Sequence, residues 1–532
     1  MLLIVVKAEA DHAGASSGVR LAEVVGSIAI ATDLGLGQPL EHVLRSCVIG
    51  DALAEHMGAP PDERDATYWS TLFLAAGCTG VSFELSSLFG DDIAFRAGMF
   101  DNLTTVSFLR YTMRRAGGGA TSLARRTKVR VDLLRSGMSS LAASLLAHCA
   151  VSAEMARRLD LGDAAVDSLL QTFEQWNGKG IPGKLRGEDV RLAIRIGNLA
   201  NLVEVHDRAG GVEAALAAAA KAESTVGPPV VAAWSEVAGD VLAGVDAASS
   251  WEQVIAREPR SRGPLTNAEL DAALELTADW ADLKSPWLTG HSRGVASLAV
   301  AAGREMGLPE EQLVALRRAA LVHDVGRNGI PNSIWDKPGP LTLSERERVR
   351  LHAYYTDRVL HRAGRLGLLA SIASAGHERS DGSGYPRGIP GTGVPALGRI
   401  LAAADTYHAL LEERPHRPAW TRDDAAGELR RASREGELDP AAVDAVLSAA
   451  GHTVRRSPGA PFGLTPRELE VLRLVARGRT TKGLAAELGI TPKTAGNHVE
   501  RIYQKIGVST RAEAAMFAMH HELVGGWDLD HA

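Results

Sequence analysis

Apolar residues in this chain tend to recur every three or four positions, the period of helices lying on a core. The clearest case lies near the C-terminus, where Leu469, Leu472 and Val475 share one face. That helix opens at Thr465-Pro466-Arg467-Glu468: a hydroxyl cap, a proline at the first helical position, and a carboxylate three residues after the cap. Gly478 closes it, and a second short helix carries Leu484 and Leu488. Gly489-Ile490-Thr491-Pro492 makes the next turn. The helix that follows buries Val499, Ile502 and Ile506. Its other face presents Lys493, Thr494, Asn497, His498, Arg501 and Lys505, side chains suited to phosphates and base edges. Upstream, stretches such as ALRRAALVHDV keep the helical period. The predicted class is all-α.

The pattern also repeats along the chain. A shift of 249 residues brings His42 onto His291, Gly58 onto Gly307 and Gly77 onto Gly326. A shift of 204 brings His148 onto His352, Glu174 onto Glu378, Gly178 onto Gly382, Gly180 onto Gly384, Pro182 onto Pro386, and Arg195-Ile196 onto Arg399-Ile400. The first copy therefore holds 45 extra residues between Gly77 and His148. They are placed near Val81 to Arg135, whose basic run of Arg125, Arg126, Lys128 and Arg130 reads as a solvated loop. A phosphate-touching surface is the alternative.

At 532 residues the chain should hold roughly three domains. Turn-forming stretches at 257–264 and 454–463 mark the boundaries. The expected domains are 18–256, 265–451 and 462–525. Aromatics are only 5% and alanine is abundant, which favours helices over strands. The opening Met-Leu-Leu-Ile-Val-Val is too short for a membrane span, and no later window of eighteen uncharged apolar residues is expected. Cys47, Cys78 and Cys149 suggest neither disulfides nor a zinc site. A cytoplasmic protein with no membrane partner is expected. Charge sharpens the C-terminal reading. Residues 464–523 carry nine Lys/Arg against six acids, a net +3 on a chain of −6.

That segment resembles the LuxR-type helix-turn-helix in LTPRE, Glu470-Val471-Leu472, Thr480 to Lys482, Lys493-Thr494, His498 and KIGV before Arg511. The resemblance implies a four-helix, dimer-forming reader of double-stranded DNA. Lys493 to Lys505 would be its recognition helix, with Thr481 and Lys482 near phosphate. Gly496 departs from a stiff helix at a cost of roughly 1 kcal/mol against alanine. Either DNA approaches the backbone there, or this helix is less rigid.

The second copy holds the chemistry. His291, His323-Asp324, His352, His377 and Asp405 spread over about 115 residues of helical pattern, and can converge only inside a bundle. An adjacent His-Asp offers an imidazole to one metal and a bridging carboxylate to another, an arrangement that clamps a phosphate ester. Such donors suit Fe, Mn, Zn or Ni. From Leu288 to Gly451 the blocks GHSRGVA, LVHDVGR, HERSDGSGYPRG, GRILAAADTY, RPHRPA and LDPAAVDAVL resemble the HD-GYP branch of the HD phosphohydrolases. The family implies hydrolysis of cyclic di-GMP at a metal pair. Matched ligands are His291, His323, Asp324 and Asp405 for one metal, and Asp324, His352 and His377 for the other. Asp324 and Arg327 are the matched catalytic positions.

Three departures qualify this. Gly376 stands where the family pattern has a histidine, so the second metal loses a nitrogen and fewer than two metals per chain are expected. Arg327 replaces a lysine, and His408 replaces an acid. In the first copy the ligands are gone: Leu74-Ala75, Phe173, Asn177, Ile181 and Asn201 stand at the positions of His323-Asp324, His377, Asp381, Tyr385 and Asp405. His42 and His148 remain, and without carboxylates read as local hydrogen-bonding residues. Two expectations stand. One is a transcriptional regulator whose helical modules sense a metal, a cyclic dinucleotide or another phosphate ligand. The alternative is a metal-dependent phosphodiesterase with a regulatory DNA-binding tail.

Overall fold

The structure, a computed structural model, describes residues 17–100, 105–118, 123–135, 139–259, 263–454, 464–521 and 523. The opening apolar hexapeptide and most of the 454–463 boundary lie outside the described residues. Helices build two bundles and a C-terminal unit, and no β-sheet is present among the described residues. Threonine caps set many helix starts. Thr266, Thr342, Thr465 and Thr510 each accept from the amide three residues on, and Glu269, Glu345, Glu468 and Glu513 each reach back to the cap.

The two copies share one apolar core, which runs from Val19 to Leu447. Their contacts are reciprocal. Helix Leu21–Leu36 of the first copy packs on the 3-10 turn Val325–Gly329 of the second, and its counterpart Asn267–Asp282 packs on Ala76–Val81. Thr79 and Asn328, equivalent under the 249-residue shift, meet through a 3.1 Å hydrogen bond. Contact between equivalent positions is the signature of a two-fold interface. The Trp280 indole donates to the Ala76 carbonyl at 2.8 Å, and the fully buried Lys284 ammonium donates to Asp92 at 3.0 Å.

The inserted segment is helical rather than a loop. Ser82–Phe89, Asp92–Ala97, Thr105–Arg115 and Leu123–Arg135 close a small core of their own around Phe89, Phe95, Ala116 and Leu133. Val129 and Leu133, four apart, dock the basic helix there, leaving Arg126 and Lys128 exposed. The 257–264 stretch is not wholly exposed either. Glu258 pairs with Arg20 at 2.5 Å and accepts from the Ala22 amide, so it caps a helix of the first bundle. The residues between Ala66 and Phe83 are uncharged, contrary to expectation, and 66–83 falls in a stretch, Pro61–Phe89, apolar enough to cross a membrane. Here it breaks into two helices and a 3-10 turn, and 61% of its most apolar window is buried in the bundle.

Helices Pro466–Ala476, Thr481–Leu488, Pro492–Ile506 and Arg511–His520 form the C-terminal unit around a separate core. Leu472, Val475, Leu484, Ile502 and Ile506 are buried as expected, whereas Val499 is only half-buried. The Pro492–Ile506 helix lies beside the Gly391–Gly393 turn of the second bundle.

Candidate metal centre and DNA-binding face

Each candidate ligand in the second copy is delivered by a different element. His291 opens helix His291–Glu305, whose second amide is held by Asp282 at 2.9 Å. His323 and Asp324 lie where helix Glu310–Leu321 gives way to the 3-10 turn Val325–Gly329. That turn presses on helix Leu343–Arg362, the carrier of His352. A Cβ at Gly326 would sit 2.1 Å from the His352 carbonyl oxygen, so no larger residue permits this approach. The equivalent Gly77 lies as close to the His148 carbonyl, at 2.1 Å. His377 ends the turn Ser374–His377, and Asp405 projects from helix Ala396–Leu411.

All six converge. His291 Nε2 lies 3.4 Å from Asp324 and 3.2 Å from Asp405. His323 Nε2 lies 2.9 Å from Asp324 and 3.8 Å from Asp405. His352 Nε2 is 3.6 Å from Asp324 and 2.7 Å from His377 Nε2, and His377 Nδ1 is 3.8 Å from Asp405. The Nδ1 atoms of His323 and His352 each lie 2.6 Å from a carbonyl, that of Ala320 and Val349, which turns both Nε2 atoms toward the cluster. Both oxygens of Asp324, one of Asp405 and Nε2 of His323 are buried and make no well-formed hydrogen bond, although Arg327 and His323 stand within ion-pair distance of Asp324. Convergent donors without well-formed hydrogen bonds fit a cation. His291, His323 and Asp324 form one tight triplet of donors, and Asp324, His352 and His377 another, so Asp324 is common to both.

The electrostatics follow from this crowding. Burial opposes charge on His291, as does Arg327, but contacts with Asp324, Asp405 and Glu412 push the imidazole up to about 10. Burial likewise opposes charge on His323, and Asp324 and Asp405 carry it to about 9. Burial resists ionisation of Asp324, but Arg327 and His323 hold its carboxyl well below the usual range. His352 is pushed down to about 4 by burial, which outweighs the pull of Asp324. Burial, with His352 beside it, also holds His377 well down. The two carboxylates thus favour protonation of His291 and His323, and a cation bound there would compete with those protons.

Arg327 reaches into this cluster. One guanidinium nitrogen stands 2.5 Å from Asp324 and 3.4 Å from His291 Nε2, and the group lies over the Trp335 ring at 5.1 Å. Tyr385 stacks on His377 at 5.0 Å. Sequence reasoning missed Glu412, which lies 2.9 Å from His291 Nδ1 and orients that ring. Glu412 follows Asp405 by seven residues, but it lies in extended backbone just past the helix end, so the helical period does not mark it. Sequence reasoning also missed why His408 is accommodated: a Cβ at Gly294 would stand 2.0 Å from its Nε2.

In the first copy no comparable donor set assembles among the described residues. Leu74 and Ala75 are buried apolar groups, and His148 packs on Phe173 at 5.2 Å. His42 does have a carboxylate, contrary to expectation. It hydrogen-bonds Glu204, which stands at the position of His408, and Asn201 at 2.7 Å.

In the C-terminal unit Thr481, Lys482, Lys493, Thr494, Asn497, Arg501 and Lys505 are exposed, and His498 is half-exposed. Lys505 is engaged within the unit, 2.6 Å from Glu468. Among the described residues nothing lies within 4 Å of a Cβ built at Gly496, so no contact there demands a glycine.

The HD domain family matches residues 275–442, and the family of bacterial regulatory proteins of the luxR type matches 463–518. A 3′3′-cGAMP-specific phosphodiesterase 3 of Vibrio cholerae is 31% identical over 410 residues, 76% of this chain and 89% of that protein. The chain belongs to the HD-GYP branch of the HD phosphohydrolases. The crystal structure of a cyclic GMP-AMP-specific phosphodiesterase of the same organism superposes with a TM-score of 0.58 at 27% identity, covering 82% of this chain and 99% of that one. That coverage takes in both bundles of this HD-GYP protein. The response regulator RpfG of Xanthomonas campestris, a cyclic di-GMP phosphodiesterase, is 42% identical over 147 residues, 27% of this chain and 38% of that protein. HD phosphohydrolase domains are metal-dependent, and this HD-GYP chain adds a LuxR-type DNA-binding domain to one.

Proposed function

We propose that this chain is a transcriptional regulator whose second HD-GYP bundle binds a divalent metal and, through it, a cyclic dinucleotide or related phosphate ligand. The observation that carries this reading is the joining, in one chain, of a buried convergent donor cluster and a LuxR-type unit whose Pro492–Ile506 helix exposes Lys493 and Arg501. His291, His323, Asp324 and Asp405 would hold the first ion, with Asp324 shared toward His352 and His377. When bound, such an ion supplies Lewis-acid polarisation of a phosphate ester. Glu412 orients His291, Tyr385 walls the His377 side, and Arg327 offers a permanent positive charge to a phosphate. Lys493, Thr494, Asn497, His498 and Arg501 would read the DNA, with Thr481 and Lys482 on phosphate. A homodimer on DNA and domains at 18–256, 265–451 and 462–525 belong to the same proposal.

Turnover is the second reading. The convergence of the six donors, Asp405 among them through its approach to His291, His323 and His377, and the likeness to a cGAMP phosphodiesterase favour it. Against a full metal pair stand Gly376 and the Arg327 head close to Asp324. The test combines three measurements on purified full-length chain: metal content, hydrolysis of 3′3′-cGAMP and cyclic di-GMP, and retardation of duplexes selected from a random pool. A regulator gives fewer than two metals per chain, little turnover, and retardation that is lost in K493E/R501E and altered by the dinucleotide. Two metals with brisk turnover lost in D324A would replace it with the enzyme. Unchanged retardation in K493E/R501E would sink the DNA-reading assignment.

A further inference from the structure

The emptied first bundle carries a cleft of its own, which Asn177 lines but which none of Leu74, Ala75, Phe173 and Asn201 reaches. Its volume is about 620 Å³, within the range of small-molecule sites. The loop around Trp176 and the C-terminal end of the kinked helix Leu192–Val226 form its walls. Trp176, Lys179, Arg186 and Lys221 line it, with Glu223 the one acid among the lining residues. Lys179, Arg186 and Lys221 make no ion pair among the described residues, although most other arginines of this bundle are paired. Three unneutralised cations around one cleft form an anion-seeking surface.

The aromatic wall is firmly set. The Arg195 guanidinium lies 4.7 Å from the Trp176 ring centroid and is 3% exposed. One of its nitrogens donates to Glu188 at 2.7 Å, while Nε and Nη1 are buried without a partner. A Cβ at Gly227 would come within 2.7 Å of the Trp176 ring and 3.2 Å of Arg195 Nη1, so the backbone also holds the ring where the guanidinium meets it. These features are peculiar to the first copy. Under the 204-residue shift, Ser380, Asp381, Ser383 and Pro390 replace Trp176, Asn177, Lys179 and Arg186, removing the ring and both cations.

We infer that this cleft binds a nucleoside polyphosphate, its base on Trp176 and its phosphates on Lys179, Arg186 and Lys221. Aromatic stacking accepts any base, and the cations take the phosphates. The inference does not depend on the metal centre.

Calorimetric titration of the full-length chain with GTP and with inorganic triphosphate tests it. GTP is expected to bind at least about fivefold more tightly than triphosphate, the lower end for base stacking on an aromatic ring. Charge reversal in K179E/K221E should weaken GTP at least about tenfold while leaving metal content and melting temperature unchanged. The same event should survive D324A, which separates it from the metal centre. If the double reversal impairs folding, W176F and W176L decide, since phenylalanine should keep the GTP preference and leucine lose it. Unaltered GTP binding in K179E/K221E, an event lost in D324A, or equal affinity for triphosphate and GTP would each overturn the inference.

Discussion

Gly496 lies in the middle of the recognition helix with open space where a Cβ would point. Its cost to the helix is therefore not offset by any contact among the described residues. G496A should raise the stability of the C-terminal unit by roughly 1 kcal/mol, seen as a higher urea midpoint. His148 is a different case. It is buried against Phe173, and burial pushes it down to about 3, from an ordinary 6.5. Above pH 6.5 it is neutral in both states and adds no pH dependence. Between 6.5 and 3 the unfolded chain takes up a proton that the folded chain refuses. Stability should fall with acidity across that window, by up to roughly 1.4 kcal/mol per pH unit. Melting curves of H148M should be flatter there, and equal acid sensitivity in both proteins would count against the assignment.

At the scale of elements, the expected metal count turns on the 3-10 turn Ser374–His377, which carries Gly376. A Cβ at Gly376 would meet only Leu401, at an ordinary 3.6 Å, so the missing histidine is not excluded at its first atom. G376H should raise metal content toward two per chain, measured by elemental analysis. No gain would mean that the element, not the residue, limits the site. The candidate donors of this cluster were legible because each sits in a short ordered block, and a repeat with fixed offsets located the same blocks in the first copy. Glu412 was not legible as a ligand orienter because it lies just past the end of its helix, where periodicity fades. The insert was misread because its apolar stripe is thin. Among its described side chains, Val129 and Leu133 seat the Leu123–Arg135 helix, and its basic residues dominate the sequence.

At the scale of the whole molecule, the first bundle has lost its ligands but not its packing. Leu21–Leu36 is almost wholly buried, and it contacts the turn that presents Asp324. Removing residues 18–256 should therefore expose a large apolar face on the remainder. The truncated chain should aggregate or self-associate, visible by size-exclusion chromatography, and lose metal. A monomeric truncation with full metal content would contradict this dependence.

Thr79 and Asn328 touch as mates across a two-fold axis, although they belong to one polypeptide. Dilution separates ordinary subunits, but here the tether keeps the halves together at any concentration. One half can then lose its reactive groups and still shoulder the other, and no exchange of partners can restore the symmetry.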